Sequence, residues 1–433
     1  MSNASADAES AAGKAAGRLG RVLMVASSFP RWSGDSSGPF VLNLAQDLQR
    51  CGWTVDVLAP HAPGAARRED IGGVGVERFR YWWPSRFETL CYGGGGVLGN
   101  LRRNRLNALK VPPLVLAEWL ALMRLLARRR YDIVHSHWLL PQGLVASLAA
   151  RFCRARHVTT VHGSEVLDLR GRVVAALERV ALRSADAVTV NSPATRAAVE
   201  AIASDLGDVR TIPMGIATDR MPAAAAASRI RATYRRGNGP LLAFVGRLIP
   251  EKGVGDLIEA VALLVPRFPD LTVLLVGDGP GREAFESLAR ERGVADRLSF
   301  VGPVPPAMVY DHMAAADIFV GPSWFESFGL TFAEALHLEL PVVAAEVGGI
   351  VETVRHEETG LLVPPRAPQA IAAAVERIVR EPALARTMAA AGKAAVSRRL
   401  SRPAVAAAFS SLFEGLRHTP RDDALGRSEA AAR

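Results

Sequence analysis

Short unbroken apolar runs alternate along this sequence with longer stretches in which apolar residues recur every third or fourth position. The runs predict buried strands, and the stretches predict amphipathic helices. The first run, Arg21–Ala26, ends in Ser27, Ser28 and Pro30, as a strand entering a loop does. A helical pattern over Phe40–Arg50 stops at Cys51 and Gly52 and is followed by a strand at Thr54–Ala59, which completes one βαβ unit. The pattern then predicts a helix over Val115–Arg128, a strand at Ile133–Ser136, a helix at Gly143–Phe152 and strands at Val158–Val161 and Ala187–Asn191.

Near Thr211 the alternation pauses. Pro222, the alanines of Ala223–Ala227 and the basic, glycine-containing Arg235–Gly239 read as connection rather than core. The pattern resumes with strands at Leu241–Val245, Thr272–Val276 and Leu298–Val301, helices at Val254–Val265 and Arg282–Arg292, and further strands at Ile318–Val320, Val342–Ala344 and Leu361–Val363. Such alternation in both halves predicts an α/β protein of two Rossmann-like domains, each with a doubly wound parallel sheet. The domains are placed at 21–210 and 211–399. Residues 1–20 lack the apolar core of a secretory signal and read as a flexible leader, and residues 418–433, without apolar periodicity, read as a disordered tail.

At 433 residues, 49% hydrophobic and 22% charged, the chain has the size and make-up of a two-domain globular enzyme. Cys51, Cys91 and Cys153 show no CxxC spacing, which gives no support to a disulfide framework or zinc site and points to a reducing cytoplasm. The longest apolar stretch, Val111–Met123, is broken by Glu118 and falls short of the ~20 residues that span a bilayer. A net charge of +9 favours phosphorylated substrates, anionic lipid or nucleic acid without choosing among them.

The segment from Gly246 through Arg247, Leu248, Ile249, Pro250, Glu251 and Lys252 to Gly253 lies directly after a predicted strand and before a predicted helix, where open α/β sheets bind ligands. Arg247 can fork onto phosphate oxygens and Lys252 adds a compact charge, so the segment reads as a diphosphate clamp. Taken alone, the same pair also reads as a solvated turn. Downstream, Ser323–Glu334 carries two carboxylates, Glu326 in a loop and Glu334 in the helix that follows. A loop carboxylate can accept hydrogen bonds from sugar hydroxyls, and the amides of Phe328, Gly329 and Leu330 can face an anion at the helix start. Thr331 and Glu334 also fit a capping box.

In order and spacing, these segments resemble the signature of the family 4 retaining glycosyltransferases of GT-B architecture, and the resemblance covers about Arg21–Arg417. It implies two Rossmann-like domains facing each other across a cleft, with a final helix over 400–417 crossing back to the first domain. It implies Arg247 and Lys252 on the donor diphosphate, Glu326 on the transferred sugar and Glu334 on the ribose. The turn of Gly277, Asp278, Gly279 and Pro280 is similar to the family's segment near the nucleotide, and Pro213–Ile216 to its interdomain connection.

Val161–Glu165 is similar to the family's His-Gly-x-Asp segment, which puts His162 near the reacting carbon; the family's Asp is Glu165 here, and Glu165 is given no role. The loop Ser27–Phe40, with Gly34 and Gly38, looks like the family's glycine loop without its double glycine. The Asp132–Trp138 segment follows the family pattern at a strand end, and His135 is read either as a core residue or as a substrate contact. The implied site therefore has His162, Glu326, Arg247 and Lys252 at the chemistry. Gly38, Gly246, Gly277, Asp278, Phe328, Gly329, Leu330 and Glu334 join Arg247, Lys252 and Glu326 on the donor.

No Asp-x-Asp motif of the kind that holds a divalent ion on a nucleotide sugar occurs. Neither a metal nor a cofactor is therefore expected, and side chains and helix dipoles take the electrostatic role. The resemblance implies a UDP- or GDP-sugar donor, retention by front-face displacement, and a glycan or lipid-linked acceptor of surface polysaccharide or glycolipid biosynthesis. The region Arg102–Arg130 mixes basic and apolar residues and reads either as a helix lying on an anionic membrane or as an ordinary core-facing helix. Nucleic acid is not an expected partner. The alternatives are a catalytically inactive nucleotide-binding GT-B partner, a GT-B sugar-nucleotide epimerase and a phosphorylase. An inactive partner would have lost some of Arg247, Lys252, Glu326 and Glu334, and all four are present.

Overall fold

The computed structural model describes residues 19–35, 37–93, 96–163, 165–166 and 171–419. The expected leader, except for residues 19 and 20, and the expected tail from residue 420 lie outside the described residues. One sheet is built from β1 (Gly20–Ala26), β2 (Trp53–Pro60), β3 (Arg68–Ile71), β4 (Val74–Phe79), β5 (Ile133–His137), β6 (Arg156–Val161), β7 (Ala187–Val190) and β8 (Val209–Thr211). Its order is β3-β4-β2-β1-β5-β6-β7-β8, parallel except where β3 meets β4. The other contains β9 (Leu241–Val245), β10 (Thr272–Val276), β11 (Leu298–Gly302), β12 (Ile318–Gly321), β13 (Val342–Ala345) and β14 (Leu361–Val363), in the order β11-β10-β9-β12-β13-β14. Both sheets start in the middle and reverse direction, between β1 and β5 and between β9 and β12. At such switch points a crevice opens at the carboxyl ends of the strands.

Strands of a parallel sheet are covered on both faces, so alternate residues feed different cores. Val22, Met24 and Ala26 pack with Val41, Ala45 and Leu48 of the Pro39–Arg50 helix, whereas Leu23 and Val25 pack with Leu114 and Leu122 of the Val111–Arg128 helix. In the second sheet Leu242 and Phe244 face one layer, and Leu241 and Ala243 the other. The Val111–Arg128 helix thus faces the core, while its Leu116 and Leu120 remain exposed. No helix among the described residues is long and apolar enough to cross a membrane.

The chain crosses from one domain to the other between Ile212, packed on the first core, and Ile216, packed on the second. At the same place it returns: the Ile216 amide donates to Leu400 O at 2.7 Å, and the Arg402 amide donates to Ile216 O at 3.1 Å. The Arg402–His418 helix then completes the first core with Val405, Phe409, Leu412 and Phe413. Arg402 forks onto Asp47 at 2.7 and 2.9 Å.

One expectation is corrected. The alanines read as connection open a helix over Ala224–Tyr234, docked on the second domain by Arg231, which bonds Asp317 and the Ala315 carbonyl. Alanine has the highest intrinsic helix propensity, so a run without large apolar residues coils when a neighbour can hold it.

Candidate active site

At the second switch point the chain leaves β9 through Gly246 and Arg247, and two loops close on it. The Gly246 amide donates to Val276 O and the Leu248 amide to Asp278 O, both at 3.0 Å, and a side chain on Gly277 would strike Gly246 O. Asp278 is exposed, and its carboxylate accepts the Gly279 amide at 2.8 Å. Gly253, at φ +69°, backs onto the Pro322 carbonyl so closely that a β-carbon would collide with it. That contact, and the Trp324 amide donating to Glu251 O at 2.8 Å, press the loop after β12 against the clamp segment.

Lys252 Nζ consequently forms an ion pair with Glu326 Oε2, the two side chains being 25% and 16% exposed. Glu326 is held from behind by the Gly349 amide, which donates to Glu326 O at 2.9 Å. The Leu330–His337 helix then starts from Gly329, which is left-handed, and no side chain caps it. The capping box considered for Thr331 and Glu334 is therefore not formed: glycine takes the capping place and Thr331 lies inside the first turn. The first amides of this eight-residue helix have no intrahelical acceptor, as an anion site requires. Phe328 buries its ring, so its backbone is what it can offer a ligand. Glu334 is partly exposed, and desolvation by the surrounding protein raises its carboxyl to about 7 against the opposing pull of Arg220. Arg220 itself lies over the Tyr310 ring at 5.3 Å.

The first domain faces these loops with the ends of β1, β5 and β6. Gly38 precedes the Pro39–Arg50 helix and sits against the Ser28 carbonyl, 2.5 Å from where its β-carbon would be. His162, after β6, packs its ring on Phe40 at 4.9 Å and Trp138 at 5.0 Å, and stacks on His137 at 5.4 Å. Burial holds His162 down to about 3 and keeps His137 well below the ordinary imidazole range, so both rings are neutral. Their bond, His137 Nδ1 to His162 Nε2 at 3.2 Å, needs one donor. If His137 donates, His162 carries its proton on Nδ1, which like His137 Nε2 has no hydrogen-bond partner among the described residues. The His162 amide donates to Glu165 Oε1 at 2.9 Å.

The two domains touch beside these groups. Gly163 lies so near Ser327 that a β-carbon on it would be 2.6 Å from Ser327 Cβ, and Ser192 Oγ donates to Ser327 O at 2.8 Å. His162 and Glu326 therefore flank one contact. A pocket of about 750 Å3 is lined by Ser27, Ser28, Gly38, Trp138 and Glu165, with Arg247 as the second domain's contribution. The structure thus brings Gly38 to Arg247, Lys252 to Glu326, and Gly246 to Gly277 and Asp278. His135 is a core residue: fully buried, bonded to Thr160 Oγ1 at 2.6 Å and packed on Phe409 and Phe413. Among the described residues no three of His, Cys, Asp and Glu gather as a metal site needs. The sequence reading passed over His137 and gave Glu165 no role. His137 stands two residues after His135 in a strand, on the same face, and that spacing was a usable signal.

Two family models match the chain: Glycosyltransferase Family 4 over residues 38–220 and Glycosyl transferases group 1 over residues 228–395. The GDP-mannose-dependent alpha-(1-6)-phosphatidylinositol monomannoside mannosyltransferase of Mycobacterium tuberculosis is 31% identical over 304 residues, 67% of this chain and 78% of that protein. The glycogen synthase of the same species is 31% identical over 416 residues, covering 91% and 94% of the two chains. Among solved structures, the sucrose-phosphate synthase of Thermosynechococcus elongatus superimposes with a TM-score of 0.77 at 26% identity, over 92% of this chain and 99% of that one. With both halves matched, near-full-length relatives and the two-sheet architecture shared, this chain belongs to glycosyltransferase family 4 and is a glycosyltransferase of GT-B fold.

Proposed function

We propose that this glycosyltransferase is a retaining, metal-independent enzyme that moves a sugar from a UDP- or GDP-sugar to a glycan or lipid-linked acceptor. The observation that carries the reading is the Lys252–Glu326 ion pair at the second switch point. The bond that breaks joins the sugar to the diphosphate, so a cation for one and a carboxylate for the other must be neighbours. Arg247, Lys252 and the start of the Leu330–His337 helix supply positive potential where the diphosphate gains charge. Glu334 accepts the ribose hydroxyls, and the His162 Nδ1–H donates to the sugar near its reacting carbon.

In the transfer step the acceptor oxygen bonds to the anomeric carbon on the face the diphosphate leaves. The carbon–oxygen bond to the diphosphate breaks with its electron pair, and the acceptor's proton passes to that diphosphate oxygen. GDP-mannose is the first donor to test, because the mannosyltransferase relative depends on it. A place at the cytoplasmic membrane face is supported by the exposed Leu106, Leu109, Leu116 and Leu120 beside Arg103, Arg105 and Lys110.

The test is calorimetric titration of GDP and UDP in chelator, with transfer from GDP-mannose followed by proton NMR of the product anomer. Failure of both nucleotides to bind, loss of turnover in chelator or an inverted product would each overturn part of the reading.

A further inference from the structure

The pocket shared by Glu165 and Arg247 is built unevenly. Its lining includes Ser27, Ser28, Trp138 and Glu165, which follow β1, β5 and β6, and Arg247 from the second domain. Glu165 is buried there, 3% exposed. Beside Ser37, Cys91 and Tyr92, most of the remaining lining is aliphatic: Val97 and Leu101 from the Gly96–Arg103 helix, Val111 and Val115 from the Val111–Arg128 helix, and Leu140 and Leu144 after β5. Val97, Leu101, Val111 and Val115 pack in part on one core cluster and Leu144 on another, and each stays only half-buried where it lines the pocket. The Val111–Arg128 helix buries Leu114, Leu122 and Leu125, while Val111 and Val115 stay half-buried at the pocket. A volume of about 750 Å3 is that of a small-molecule site, and such sites set a few polar groups against an apolar wall to fix which end of a ligand goes where.

We propose that the acceptor is an amphipathic molecule, a hydroxyl-bearing headgroup with an apolar tail. The headgroup lies by Glu165 and the tail packs on Val97, Leu101, Val111 and Val115. The orientation rests on the donor reading given above, because Arg247 marks the end at which transfer takes place. Glu165 Oε1 accepts the His162 amide at 2.9 Å, and a carboxylate has acceptor sites left over for hydroxyls of a headgroup. A free oligosaccharide would present hydroxyls along its whole length, and the aliphatic walls have nothing to bond them.

The test is binding of methyl and octyl glycosides of mannose and glucose to the full chain, titrated below the micelle concentration of the octyl compounds, without donor. Each buried methylene raises affinity by up to about fourfold, so the octyl glycosides should bind at least about tenfold tighter than the methyl ones. Val115→Trp fills the pocket and Leu101→Asp charges it; each should remove most of that preference, with melting temperature and nucleoside diphosphate affinity reporting that the variant is folded. Equal affinity for methyl and octyl glycosides, or an octyl preference that survives both folded variants, overturns the proposal. Octyl preference with no binding of GDP or UDP would leave the pocket assignment standing and remove the donor reading instead.

Discussion

Lys252 and Glu326 are bound to each other, so neither can be changed without altering the other's charge balance. Arg247→Ala and Lys252→Ala should each cost about 1.5–3 kcal/mol of nucleoside diphosphate binding, one to two decades by calorimetry. The loss in Lys252→Ala with Glu326→Gln should fall short of the sum of the two, as coupled neighbours do. Glu326→Gln alone should lower turnover more than it lowers that affinity. Glu334 offers a pH signature. Its carboxyl is raised from 4.5 to about 7, so below 4.5 it is neutral in both states, and as pH climbs through 7 the unfolded chain gains from ionising first. That stability is lost on the way up, and Glu334→Gln should melt with a flatter pH profile. Nucleotide affinity should move the other way, tightening as the wild-type carboxylate ionises while the variant shows only the ligand's own titration. The spacing of Glu326 and Glu334 was legible in the sequence. Arg220, which opposes the shift of Glu334, comes from a distant segment of the chain and carries no local signal.

Among the elements, β5 and β6 concentrate buried imidazoles. His135, His157 and His162 are pushed by burial to about 3, 4 and 3, against 6.5 when exposed. A depressed histidine stabilises the fold above 6.5, and that contribution is lost as pH falls from 6.5 toward 3. Melting temperature should therefore drop between pH 6.5 and 4. His157→Gln, which can keep a bond to Ser136 Oγ, should blunt the drop by on the order of 1–3 kcal/mol at pH 4. The strands themselves were largely legible, because parallel strands are continuous apolar runs. The β3–β4 hairpin was not read, although Gly72 and Gly73 between Arg68–Ile71 and Val74–Phe79 are a hairpin signal. Its β3 half is charged and edge-facing, and so lacks the apolar run by which the others were found.

For the whole molecule, two features of the crossing matter: the chain passes between domains twice at one point, and the returning Arg402–His418 helix is anchored by Arg402 on the buried Asp47. Arg402→Ala leaves that carboxylate with Arg50, 2.5 Å away, as its cation and should cost the first domain about 1.5–3 kcal/mol in denaturant unfolding. The second domain's affinity for nucleoside diphosphate should be retained. The alternation of patterns made two domains legible, but periodicity does not say on which neighbour a helix packs, and only the resemblance pointed to the return. That return also inverts the order of assembly. The first domain to leave the ribosome is the last to be finished, since Val405, Phe409, Leu412 and Phe413 are synthesised after the whole second sheet. A nascent chain stalled before residue 400 should therefore expose a protease-sensitive leading half and a resistant trailing one, the reverse of the usual progression from the amino end.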